Sequence, residues 1–155
     1  MCKLSKLTVL LSALVLSAQC AATQGVGSLP ASLKEELTNS RGVFVVPADR
    51  AGRKAPVAVW FVYQNGVLYV MSPSRDTRVR SIQTGQPRAT IFVGTADGPS
   101  FTATGAIVND PKIHDLVFVE MQKKYTVQWL QFGGRLRAGF SNGSRVLIKY
   151  TPTDS

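Results

Sequence analysis

Three dipeptides, Asn65-Gly66, Asp97-Gly98 and Asn142-Gly143, each sit between apolar runs, and they constrain this chain more than any other feature of it. Asn, Asp and Gly accept the positive φ that a tight reversal between strands demands, so such a pair flanked by apolar residues marks a hairpin. The dominant element is therefore an antiparallel sheet. The flanking runs predict strands at residues 42–47, 56–63, 67–72, 88–94, 100–109 and 145–151. Six strands are enough for a small barrel. Residues 57–62 read Val-Ala-Val-Trp-Phe-Val, apolar at every position. That strand is expected to be covered on both faces, by the barrel core on one side and a subunit partner on the other.

Three helices are expected between the strands. The first, about residues 30–39, carries a capping-box pattern in Ser32 and Glu35 ahead of Leu37. The second spans about 74–84. The third spans 111–124, with Asp110 as N-cap and Pro111 at the first helical position. Ile113, Leu116, Val117 and Met121 recur along it at helical spacing and predict its buried face.

The amino end reads Met-Cys-Lys-Leu-Ser-Lys, then an apolar run from Leu7 to Ala18, then small residues through Ala22, the layout of a secretory leader. Residues 1–22 are read as that leader and 23–155 as one domain. Cleavage after Cys20 or after Ala22 both fit. A lipid anchor at Cys20 is disfavoured, because Ser17 and Gln19 stand where lipoprotein leaders carry Leu and a small residue. The apolar run is shorter than the roughly 20 residues a membrane helix needs, and no other segment approaches that length. An exported product, periplasmic or extracellular, is expected, with no transmembrane segment in the mature chain. Both cysteines, Cys2 and Cys20, lie in or beside the leader, so the mature domain has no internal disulfide. Losing Lys3 and Lys6 of eighteen basic residues, and none of nine acids, leaves a net charge of +7. That surplus favours anionic partners.

The chemistry is concentrated in Val70-Met-Ser-Pro-Ser-Arg-Asp-Thr-Arg-Val-Arg-Ser-Ile82. A strand ends, serines follow, and a helix opens with arginines, which is how an anion site is built from hydroxyls, guanidinium forks and free helix N–H groups. Ser72, Ser74, Arg75, Arg78 and Arg80 are the candidate anion ligands. Arg75 and Arg78, three apart, are expected to share a helix face. The competing reading makes the arginines a solvated face in which Asp76 pairs Arg80.

These residues, in order with Val43-Phe-Val-Val-Pro47, Asn65-Gly-Val-Leu-Tyr-Val70, Pro87-Arg-Ala-Thr, Ala103-Thr-Gly-Ala-Ile-Val-Asn-Asp-Pro111 and Arg145-Val-Leu-Ile-Lys-Tyr-Thr-Pro152, resemble the pyridoxamine 5'-phosphate oxidase-like FMN-binding split barrels. The resemblance spans about residues 29–152. It implies a mainly β (α+β) fold, a six-stranded antiparallel split barrel with short flanking helices, paired as a homodimer. It also implies FMN at the subunit interface, with its phosphate on the basic helix start. Arg78 and Arg80 match the family's basic-x-Arg pair, and Ser74-Arg75 its Ser-Arg pair. Three departures speak against oxidation of pyridoxamine phosphate itself. Asp76 stands where those oxidases carry a basic residue, the loop before Pro87 is one residue longer, and no Arg-x-His element lies near the carboxyl end.

The expected function is thus an exported flavin-dependent oxidoreductase acting on a small molecule, with FMN or a deazaflavin as cofactor. No side chain announces itself as acid, base or nucleophile, and none is required where a cofactor carries the redox step. Export tells the other way, since a chain translocated unfolded must find flavin outside the cytoplasm. The alternative is a noncatalytic binder of flavin, haem or another anion on the same barrel. His114, the sole histidine, lies beside Lys112 and Asp115 and is read as a solvated helix residue, with no metal site. Lys123, Lys124, Tyr125, Trp129, Arg135 and Arg137 mix basic and aromatic residues, but nucleic acid is not expected as a partner of an exported protein. Trp129, with Leu130 and Phe132, is read as dimer packing or a wall against the ring, and Trp60 as packing first or that same wall. Replacing Arg78 by Ala is expected to cost flavin retention and to spare folding.

Overall fold

The computed structural model describes residues 28–52 and 57–153. The leader, both cysteines and the Pro56 start of the second predicted strand lie outside the described residues. Six strands form one antiparallel sheet: β1 (Val43–Pro47), β2 (Phe61–Gln64), β3 (Val67–Pro73), β4 (Arg88–Val93), β5 (Ser100–Val108) and β6 (Arg145–Pro152), in the order β1-β4-β5-β6-β3-β2. The sheet curls until its two edges meet. Val43 at the start of β1 pairs with Val59 just before β2, through N–H to carbonyl bonds of 3.1 and 2.8 Å.

Side chains alternate across this curled sheet, so each strand feeds two cores. Inside lie Val43, Val45, Phe61, Leu68, Val70, Ile91, Val93, Ala103, Ile148 and Tyr150, closed at the ends by Leu33 and Leu37 of α1 (Ala31–Asn39) and Val79 of α2 (Thr77–Gln83). Outside, Val62, Met71 and Leu147 pack under Val117, Phe118 and Met121 of α3 (Pro111–Lys124) and Trp129 and Leu136 of α4 (Thr126–Ser141). The expectation that a strand near residues 56–63 is covered on both faces holds at Phe61 and Val62, and the outer cover comes from the chain's own α3 and α4. Val57 is 61% exposed and Ala58 is exposed, because the ladder begins only at Phe61.

The helix α4 was not expected. Trp129, Gly133, Leu136 and Gly139 form its buried stripe at helical spacing. Two of its three glycines, which look like breakers, serve close approach: a Cβ on Gly133 would stand 2.7 Å from the Trp129 indole nitrogen, and one on Gly139 would stand 2.7 Å from the Arg145 stem. Asn142-Gly143 accordingly ends a helix and does not turn a hairpin, with Gly143 at φ 74°. Asn65-Gly66 is the tight hairpin expected, with φ of 52° and 78°. Asp97-Gly98 does join two antiparallel strands, but within a longer loop.

Three helix details also differ. At α1, Pro30 is the N-cap and no side chain caps the helix, so Ser32 falls inside it and the capping box does not form. Along α3 the buried stripe is Val117, Phe118 and Met121, and Leu116 is 46% exposed, because the helix must face both the sheet and α4. Before α2, residues 74–76 form a turn and bend with Asp76 as N-cap, so the helix starts three residues later than expected.

Candidate functional site

At its carboxyl end β3 divides the predicted site between its two faces. Leu68 and Val70 point into the inner core and Met71 outward, so alternation places Ser72 inward and Pro73 outward. Ser72 is fully buried, and its hydroxyl has no hydrogen-bond partner among the described residues. Its registry partner on β6 is Val146.

Arg78 is turned back on its own helix. Its Nε and Nη2 donate to the two oxygens of Asp76 at 2.8 and 2.7 Å, while its backbone N–H donates to Asp76 Oδ1 at 2.9 Å. The Arg78 side chain is only 10% exposed. Burial pushes the Asp76 carboxyl upward, but the Arg78 hydrogen bonds and charge outweigh it and hold the group below the usual carboxylate value. Burial likewise raises the phenol of Tyr150, which feels both charges of this pair. Asp76 therefore pairs Arg78 and not Arg80, because an extended N-cap residue faces the helix's second residue. Arg75 lies ahead of the helix and shares no face with Arg78. Arg80 is exposed on α2.

The other half of the site opens outward. Ser74 and Arg75 line a groove of about 580 Å³ together with Pro73, Asn142, Gly143 and Ser144. The Ser74 backbone N–H donates to the Ser144 carbonyl at 2.9 Å, and Asn142 Oδ1 accepts from the Ser144 N–H at 3.0 Å, which fixes both walls. Beside it lies a slot of about 340 Å³ lined by Trp60, Phe132, Arg135, Leu136 and Arg145. Groove and slot adjoin at one rung of the sheet, since Pro73 pairs with Arg145 in the β3–β6 ladder.

In the slot Trp60 stacks on Tyr125, ring centroids 4.9 Å apart and 12° from parallel, with Phe132 edge-on at 6.3 Å. The stem of Arg145 lies against Gly139, where a Cβ would approach it to 2.7 Å. No carboxylate lines either cavity, and Arg75, Arg135 and Arg145 have no ion-pair partner among the described residues. Arg135 and Arg145 were not assigned to the site from sequence, because their placement depends on α4 crossing the start of β6. Trp129, by contrast, is 7% exposed and packs on Phe118 in the outer core. His114 is also not simply solvated: its Nε2 lies 2.7 Å from the Val108 carbonyl and its ring 5.0 Å from that of Phe140.

An anionic, planar cofactor fits the outer half. Serine hydroxyls and an unpaired guanidinium suit a phosphate, and an aromatic wall suits a flat ring. Arg78 fits it poorly, since the guanidinium edge best suited to a phosphate already grips a carboxylate. No cluster of metal-ligating side chains occurs among the described residues, and no described helix is long and apolar enough to cross a membrane.

Solved structures share this architecture. The chain aligns over 79% of its length with 92% of a putative pyridoxamine 5'-phosphate oxidase from Listeria innocua, at TM-score 0.56 and 16% identity. The fold is the split barrel. The heme storage protein HutZ from Vibrio cholerae matches at TM-score 0.59 and 15% identity, over 83% of this split barrel and 93% of that chain. A FAD-binding protein from Mesorhizobium loti matches at TM-score 0.52 and 17% identity, over 81% and 91%. No protein-family model matches the split-barrel chain. No curated protein matches it in sequence.

Proposed function

We propose that this split barrel binds FMN, with its phosphate in the Arg75 groove and its ring in the Trp60 slot, and acts as a flavin-dependent oxidoreductase on a small molecule. The carrying observation is the pair of adjoining cavities, one bounded by serines and Arg75, the other by stacked aromatics with Arg135 and Arg145, and neither by an acid. The likeness to a putative pyridoxamine 5'-phosphate oxidase and a FAD-binding protein supports the same reading. When bound, the flavin supplies the hydride chemistry. The chain's own residues hold its anion, stack its ring and exclude water from one face. A deazaflavin presents the same phosphate and ring geometry and would use the same residues. In this reading the protein is exported, in the periplasm or outside the cell, and works as a homodimer, whose partner subunit covers the open side of the slot.

The likeness to a heme storage protein favours a second, noncatalytic reading as a haem binder. It is weaker, because the single histidine commits Nε2 to the Val108 carbonyl. Titration with FMN and with riboflavin, followed by flavin fluorescence, tests the proposal. The native chain should prefer FMN. Arg75→Ala should remove that preference, by roughly 10-fold for one exposed charge-assisted hydrogen-bond pair, and Trp60→Ala should weaken both ligands. Equal binding of the two flavins by the native chain, or indifference to both substitutions, would overturn the assignment.

A further inference from the structure

A third cavity lies on another side of the barrel, bounded by α1, β2 and the end of α3, and the flavin reading leaves it unused. It measures about 300 Å³ and is lined by Leu37, Thr38, Val62, Tyr63, Glu120, Lys123 and Lys124. Lys124 is held in it from two directions. Its ammonium donates to the Leu37 carbonyl at 3.1 Å and stands 3.5 Å from the centre of the Phe61 ring. These contacts position the amine at the wall of a water-accessible cavity on a half-buried stem. Lys123 is bound to Glu120 at 2.7 Å, yet keeps 66% of its side chain exposed.

We propose that Lys124 is a carbonyl-capturing amine and that this cavity takes a short aldehyde bearing a carboxylate. The neutral Nζ adds to the aldehyde carbon, the carbinolamine loses water, and an imine C=N bond replaces the C=O. The proton shed by the ammonium beforehand goes to solvent, and no oxidant or reductant is consumed. Burial and the neighbouring Arg41 charge lower the Lys124 pKa to about 8, so a useful fraction of free amine exists near neutrality. Of the groups around the amine, Arg41 and Lys123 are cationic, Glu120 is anionic and already paired, and Tyr63 and Tyr125 are neutral phenols raised by burial. The surrounding charge is thus net positive, which suits a carboxylate on the incoming aldehyde.

The test is reductive trapping on the full chain: glyoxylate or glycolaldehyde with cyanoborohydride, then peptide mapping of each lysine over a pH series. Lys124 should be labelled by glyoxylate roughly 10-fold faster than exposed Lys112, its larger fraction of free amine more than offsetting the weaker nucleophilicity of a less basic nitrogen. The labelling rate should rise through a midpoint of about 8. Glyoxylate should outpace glycolaldehyde at Lys124, and Lys123→Gln should shrink that advantage. Labelling of Lys124 no faster than Lys112 would overturn the proposal. Equal rates with the two aldehydes would overturn its carboxylate half.

Discussion

Replacing Tyr125 by Phe should destabilise the barrel without disturbing its aromatic packing. Tyr125 is 1% exposed, and its hydroxyl joins the outer helices to the seam of the sheet. It accepts from the Phe61 N–H at 3.0 Å and faces the carbonyls of Arg41 and Phe61 at 3.1 and 3.2 Å. One proton serves both carbonyls, so the acceptor role toward Phe61 N–H is the costly one to lose. Removing the oxygen forfeits about 1 kcal/mol of net hydrogen bonding and leaves a buried N–H unsatisfied, for a further 1–2 kcal/mol or so. The expected loss is therefore about 2–3 kcal/mol, or roughly 5–10 °C in Tm for a domain of this size. Circular dichroism melts and urea titrations read it directly, and an unchanged urea m-value would show that the native state is otherwise intact. Near-ultraviolet dichroism should persist, because the ring still stacks on Trp60. A Tm shift below about 2 °C would refute the reasoning, since the N–H would then have found another partner.

Arg78→Ala should lower stability by about 2 kcal/mol as well as altering charge, because it strands the Asp76 carboxylate beside a 10%-exposed pairing site; urea midpoints check this. The depressed Asp76 pKa gives a contribution present in full above the ordinary carboxylate value near pH 4 and lost as pH falls through the lower folded value, so native protein should lose more stability on acidification than Asp76→Asn does. Gly66→Ala forces an L-residue to φ 78° at the β2–β3 hairpin and should cost about 1 kcal/mol in thermal melts.

The sheet was legible because its determinants are local. Asn65-Gly66 fixes one hairpin by backbone sterics alone, and the alternation in β3 and β6 places their apolar residues on two faces without reference to anything distant. Helix α4 was not, because Gly133, Gly134 and Gly139 carry the marks of a loop, and only contact with the Trp129 ring and the Arg145 stem explains two of them. Misreading α4 also turned a helix-terminating Asn142-Gly143 into a hairpin, since both uses exploit the same positive φ. The cluster of serines and arginines at residues 72–80 was readable as composition, but its division between two faces was not. Whether Arg78 faces a ligand or Asp76 depends on an N-cap geometry that spacing does not encode. Arg135 and Arg145 meet Trp60 only through the tertiary path of α4.

The flavin assignment is met most directly by the visible absorption spectrum of the protein purified from its own compartment, recorded before and after incubation with excess FMN and desalting. Flavin bands should survive desalting in the native protein and be clearly weaker in Arg75→Ala, in keeping with a roughly 10-fold loss of FMN affinity. A Soret band, or a chromophore-free spectrum that FMN does not change, would contradict the assignment.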